Sequence, residues 1–176
     1  MARKLKNIEL NRLSLEEFKA APKKRVSVLL DNIRSMLNIG SVFRTSDAFA
    51  VEHIYLCGIT ATPPHREITK TAIGAERSVD WSYTESIVEC LQNLKEQGFK
   101  IIGIEQTDKS LSLDNYRVDP QDKIVLIFGN EVNGISDEAL NFCDEFIEIP
   151  QYGTKHSLNI SVSAGIALWE IQKQLS

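Results

Sequence analysis

Short runs of β-branched and aliphatic residues alternate along this chain with stretches whose apolar residues recur at helical spacing. That alternation confines it to an α/β architecture, a mainly parallel sheet covered by helices. Strands are expected at 26–31, 53–57, 100–104, 123–128 and 145–149, and helices at 39–50, 85–97, 136–141 and 157–174. In the second of these helices Ile87, Val88, Leu91 and Leu94 mark one face and Gly98 follows as a stop. Ser136 with Asp137 and Glu138 starts the third. In the last, Leu158, Val162, Ile166 and Trp169 form an apolar stripe suited to core or subunit interface, while Ser161, Ser163, Ala164 and Gly165 keep the helix slim. A short helix is expected at 13–20. The stretch 59–79, with Pro63 and Pro64, reads as an irregular functional loop whose His65, Arg66 and Lys70 either touch a binding partner or face solvent.

With 176 residues and 43% hydrophobic content, the chain suits one domain with a sizeable core. It has no apolar run of membrane-spanning length, and Met1-Ala2-Arg3-Lys4 does not lead into a signal-peptide core, so a cytoplasmic protein is expected. Cys57, Cys90 and Cys143 lack zinc or redox spacing, which predicts free buried thiols and no metal. The net charge of −4 argues at first against a nucleic-acid partner. Its distribution reverses that judgement, because residues 1–25 carry eight Lys or Arg against three acids, +5, and leave −9 on the remainder. We therefore divide the chain into a basic segment, 1–25, and a domain, 26–176. The segment either tracks a phosphate backbone or is solvated.

Three segments place polar residues beside glycines where strands are expected to end, which is where open α/β sheets present backbone to ligands. They are Asn38-Ile39-Gly40 through Arg44-Thr45, Phe128-Gly129-Asn130-Glu131 through Gly134, and Ile149-Pro150 through Gly153 to Ser157-Leu158-Asn159. Asn38 reads as an N-cap for the helix beginning at Ile39. Arg44 either pairs with a carboxylate such as Glu131 or reaches a substrate phosphate or ribose. Gly129 lets a ligand approach the backbone, Gly134 allows another turn, and Gly153 permits a sharp bend. Glu131 is either a turn carboxylate or part of a site. Ser157 reads as a helix cap, whereas Asn159, placed one turn into the expected helix, calls for a ligand or a cross-chain partner. The dinucleotide fingerprint and the phosphate loop are both absent from the sequence.

Taken together, the three segments resemble the motifs of the SpoU branch of the SPOUT methyltransferases, whose members include the TrmH-type tRNA ribose 2′-O-methyltransferases. The resemblance runs from about Val26 to Leu175. It implies S-adenosylmethionine-dependent methylation of a ribose 2′-hydroxyl in RNA, on a fold with a C-terminal trefoil knot, by a homodimer. Thr107, Gly129, Ile149 and Leu158 correspond to cofactor-binding positions, and Arg44, Asn38, Glu131, Ser157 and Asn159 to catalytic ones. A guanidinium has no acceptor lone pair, so Arg44 is expected to bind the target phosphate and polarise the hydroxyl, with a phosphate oxygen or Glu131 receiving the proton. Gly103-Ile104-Glu105-Gln106-Thr107, with Leu111 and Tyr116, is similar to domains that methylate a D-loop guanosine, which places tRNA ahead of ribosomal RNA. Gln151 stands where many relatives carry methionine, and the D-loop domains share it. The competing readings are a ribosomal RNA enzyme, a non-catalytic RNA-binding protein on the same fold, and a nucleotide-binding oxidoreductase, whose glycine spacing the sequence lacks.

Overall fold

The computed structural model describes residues 2–175. Seven strands form one sheet in the order β3-β2-β1-β6-β4-β7-β5, every neighbouring pair parallel. They are β1 Val26–Asp31, β2 Ile54–Cys57, β3 Trp81–Thr84, β4 Phe99–Ile104, β5 Leu111–Ser112, β6 Lys123–Phe128 and β7 Glu145–Glu148. The helices are α1 Leu15–Ala20, α2 Met36–Ala48, α3 Arg66–Ala72, α4 Ala75–Ser78, α5 Ile87–Glu96, α6 Asp137–Leu140 and α7 Ile160–Gln174.

Both sheet faces are covered, so the central strands are apolar at nearly every position instead of alternating. All six residues of β1 are buried. Strand periodicity then sends Val28, Leu30, Ile124, Leu126 and Phe128 to a core shared with α2, α3, α4 and α7. Leu29, Val125 and Ile127 face a second, smaller core under α5 and α6. Serines set two helix starts, Ser35 accepting from the Asn38 N–H and Ser86 from the Glu89 N–H, both at 3.3 Å. The expected strands and long helices are present with their ends moved by up to three residues.

Three expectations need correction. The stretch 59–79 is irregular only as far as His65 and then forms α3 and α4. Ile68 and Ala72, one turn apart, bury against α2, where a Cβ at Gly40 would lie 2.2 Å from the Ile68 carbonyl oxygen, so helix contact won over the proline signal. His65 itself caps α3, its Nδ1 accepting from the Glu67 N–H at 3.2 Å, while Arg66 and Lys70 are exposed. Strands β3 and β5 went unforeseen, being four and two residues long and fixed by pairing with β2 and β7.

The basic segment carries a short 3₁₀ turn, Asn7–Leu10, and then α1, which Ser14 caps. It joins the domain through Lys24, whose Nζ donates to the Leu175 carbonyl at 2.7 Å. Among the described residues no helix is long and apolar enough to cross a membrane. Cys57 and Cys90 are buried, Cys143 is half-buried, and all three are free thiols.

Candidate active site

Strands β6, β4 and β7 are neighbours, and the chain leaving their carboxyl ends lines one cavity of about 780 Å³ with the start of α7. Thr107 follows β4, Gly129 follows β6, Ile149 follows β7 and Leu158 precedes α7; all four line it. Glu131, Ser157 and Asn159 do so as well.

The loop after β6 closes on itself. Asn130 N–H donates to the Gly134 carbonyl at 2.8 Å and Gly134 N–H returns to Asn130 at 2.9 Å. The Asn130 side chain accepts from the Val132 and Asn133 N–H groups and donates to the Asn32 carbonyl at 2.7 Å. A Cβ on Gly129 would sit 2.1 Å from the Gly134 carbonyl carbon, so this glycine serves the loop's own closure. Gly134 has φ +70°, and a Cβ there would lie 2.3 Å from Glu105 Oε2. Gly153 takes no positive φ and has nothing within 4 Å of a Cβ, so the bend there does not demand glycine.

This closed loop presents Glu131 to the start of α2. Its carboxylate accepts from Ser35 N–H and Arg34 N–H at 3.2 Å and from Asn38 Nδ2 at 3.1 Å. Burial alone would raise its pKa, but the donors of its own backbone, Arg34, Asn38 and Ser35 outweigh that and hold the carboxyl below the usual range. Asn38 Oδ1 in turn accepts from Asn159 Nδ2 at 3.1 Å, and Asn159 Oδ1 accepts from Ser161 N–H at 2.9 Å. A hydrogen-bonded line thus runs from α7 through Asn159 and Asn38 to Glu131. It joins residues up to 121 positions apart.

Two capping assignments change. Ser35, not Asn38, caps α2, and Asn38 sits inside the helix with its amide turned toward Glu131 and Asn159. Asn159, not Ser157, caps α7, because that helix starts three residues later than expected. Ser157 is exposed at the cavity and makes no hydrogen bond among the described residues.

Arg44 lies apart. It is six residues beyond Asn38 on α2, a rotation of about 600°, so it projects roughly 120° away around the helix. It is exposed, does not line the cavity, and has no hydrogen bond or ion pair among the described residues. Its pairing with Glu131 within one chain is therefore excluded by geometry and by the donors Glu131 already holds. Arg44 instead shares the exposed face of α2 with Leu37 and Ala48, while Phe49, which ends α2, meets Trp169 of α7 edge to face with centroids 6.2 Å apart.

Glu105 and Gln106 were not singled out as site residues. Glu105 accepts from the Ile135 N–H at 3.1 Å, and Gln106 Nε2 donates to the His156 carbonyl at 3.0 Å, tying the β4 exit to the other two loops. Their position directly after a strand, like that of Gly129, was the available signal.

A parallel sheet with a cavity at the carboxyl ends of adjacent strands defines an α/β ligand-binding protein of the open-sheet kind. Residues 25–169 match the SpoU rRNA Methylase family, and the chain belongs to it. It is similar to the tRNA (guanosine(18)-2′-O)-methyltransferase of Aquifex aeolicus, 34% identical over 167 residues, 91% of this chain and 74% of that one. It is also similar to the 23S rRNA (guanosine-2′-O-)-methyltransferase RlmB of Neisseria meningitidis serogroup B, 33% identical over 147 residues, 84% of this chain. This chain spans 58% of the Neisseria relative's length. The crystal structure of the A. aeolicus TrmH/SpoU tRNA modifying enzyme superposes with TM-score 0.79 at 29% identity, covering 91% of this chain and 81% of that one. The SpoU methyltransferase AviRb from Streptomyces viridochromogenes, solved with the cofactor AdoMet, shares the fold with TM-score 0.79 at 23% identity, covering 89% and 62%.

Proposed function

We propose that this protein transfers a methyl group from S-adenosylmethionine to a ribose 2′-hydroxyl of RNA. The observation that carries the reading is the convergence of the three strand exits on one cavity whose rim is braced by Glu131, Asn38 and Asn159. At about 780 Å³ the cavity falls within the roughly 300–1,000 Å³ of small-molecule sites, a size that suits an adenosyl ligand. Thr107, Gly129, Ile149 and Leu158 would hold that ligand. When bound, S-adenosylmethionine supplies an electrophilic methyl carbon on a sulfonium sulfur.

In-line transfer requires the ribose oxygen to be aligned and its proton removed. Glu131 is engaged by three neighbouring donors and held ionised, so its role is to fix the start of α2 rather than to accept that proton. Arg44, free of partners among the described residues, binds the phosphate beside the target ribose and polarises the hydroxyl. With the methyl carbon supplied by the bound cofactor, Arg44 would hold the ribose hydroxyl in line, and the hydroxyl proton would pass to a phosphate oxygen.

Arg44 reaches the reaction through assembly. On α7 and just before it, Leu158, Val162, Ile166 and Trp169 are 37, 48, 38 and 61% exposed, an apolar stripe left uncovered on the helix that packs against α2. A second copy of the chain covers it, on a fold carrying the family's C-terminal trefoil knot. The substrate is tRNA ahead of ribosomal RNA, with a D-loop guanosine as target. Support comes from the tRNA relatives and from the Glu105-Gln106-Thr107 segment. The basic residues of 1–25 contact the RNA backbone, and the protein acts in the cytoplasm.

Labelled S-adenosylmethionine incubated with unmodified tRNA and, separately, ribosomal RNA tests the reading. The expected result is one 2′-O-methylnucleoside in tRNA. Labelling of ribosomal RNA alone would move the substrate, and binding of RNA without incorporation into either pool would leave a non-catalytic RNA-binding protein. Sedimentation of the wild type against V162D tests the dimer, which the aspartate should dissociate.

A further inference from the structure

The cavity is lined by Glu105, Glu131, Asp137 and Glu148 and by no lysine or arginine among the described residues. Glu131 is engaged by α2, and Glu148 accepts from Ser110 Oγ at 2.8 Å. Glu105 is placed differently. Its Oε1 accepts from Gln106 N–H at 3.0 Å and its Oε2 from Ile135 N–H at 3.1 Å, while its own N–H donates to the Ile147 carbonyl at 3.1 Å. The carboxylate occupies the space a side chain at residue 134 would take, so the glycine there admits it. A carboxylate offers about four acceptor sites, and two backbone donors leave the others free in a residue that lines the cavity. The result is an anionic group fixed by two of the loops that line the pocket.

We propose that Glu105 is a specificity-determining residue that makes the pocket prefer a positively charged cofactor over its uncharged product. This rests on the methyltransferase reading above. Transfer of the methyl group converts a sulfonium into a neutral thioether, so attraction to a fixed carboxylate exists before the reaction and vanishes after it. A sulfonium donates no hydrogen bond, and the preference is therefore electrostatic, needing proximity but no direct contact. The amino-acid end of the ligand is common to cofactor and product. A contact from Glu105 to that end would strengthen both equally and give no preference.

Titration calorimetry of the purified wild type with S-adenosylmethionine, S-adenosylhomocysteine and sinefungin, whose protonated amine replaces the sulfonium, reads the preference directly. We expect the two cations to bind about tenfold more tightly than the neutral thioether. In E105Q the three affinities should converge to within about twofold through loss on the cationic ligands, and E105D should retain the preference. Equal affinities in the wild type would overturn the proposal without recourse to any variant. Equal weakening of all three ligands in a folded E105Q would overturn it too. Failure of the wild type to bind any of the three would instead overturn the methyltransferase reading itself.

Discussion

The braced rim of the cavity and the outer face of α2 and α7 are built on opposite terms. At the rim Asn38, Asn159, Asn130 and Glu131 are all satisfied within the chain, by hydrogen bonds between 2.7 and 3.2 Å. On the outer face of α2 Arg44 has no partner among the described residues, and on neighbouring α7 Val162, Ile166 and Trp169 are exposed. A folded chain leaves a charge and an apolar stripe uncovered where something outside it is to be met. The contrast divides the molecule: the rim is complete within a single chain, whereas the outer face is where the proposed reading puts a second copy and the RNA.

Arg44→Ala is the sharpest way to break this division. Turnover should fall by about 10²–10⁴-fold, the scale of removing one electrostatic interaction with the transition state, with cofactor affinity and melting temperature unchanged. A fall in cofactor affinity matching the fall in turnover would place Arg44 in the pocket and end the distinction. Gly129→Ala probes the rim from the other side. The added methyl meets the Gly134 backbone, and overpacking of this kind costs about 1–3 kcal/mol, read by thermal unfolding together with weaker cofactor binding. Unchanged stability would mean the loop can open and is not the rigid element described.

The third experiment concerns acid. Because folding depresses the Glu131 pKa, its contribution is present above the ordinary glutamate range and is lost as pH falls through the lowered value. Wild type should therefore lose stability relative to E131Q as pH drops below about 4, and the two curves should run parallel above about 5.5. A constant difference across the acid range would show that Glu131 braces nothing by its charge. Deleting residues 1–20 should have the smallest effect on chemistry, removing five basic residues far in sequence from the cavity. RNA binding should weaken and its salt dependence flatten by up to about 0.7–0.9 for each phosphate that the basic residues neutralise, with cofactor affinity unaffected. An unchanged salt slope would assign the segment to solvent.

Much of this molecule could be read from its residues. Strands β1 and β6 were visible because burial on both faces makes them continuous apolar runs, and α5 because its apolar residues keep one helical face. Thr107, Ile149 and Leu158, which line the cavity with Gly129, were picked out only by the motif resemblance, since neither residue type nor periodicity marks them. What misled was local chemistry with two outlets. Asn38 and Ser157 both read as caps, and helix starts moved by three residues passed that role to Ser35 and Asn159.

By itself, the order of residues determined the parallel α/β framework, the family and the set of polar positions near the site, because periodicity and motif spacing are local properties of the chain. Only the tertiary structure decided which of those polar groups touch. It placed Asn38 between Glu131 and Asn159, left Arg44 outside, and set Glu105 against Gly134. Those contacts join residues between 29 and 121 positions apart, and at such separations partners are chosen by the packing of the sheet and its helices, which no local pattern records.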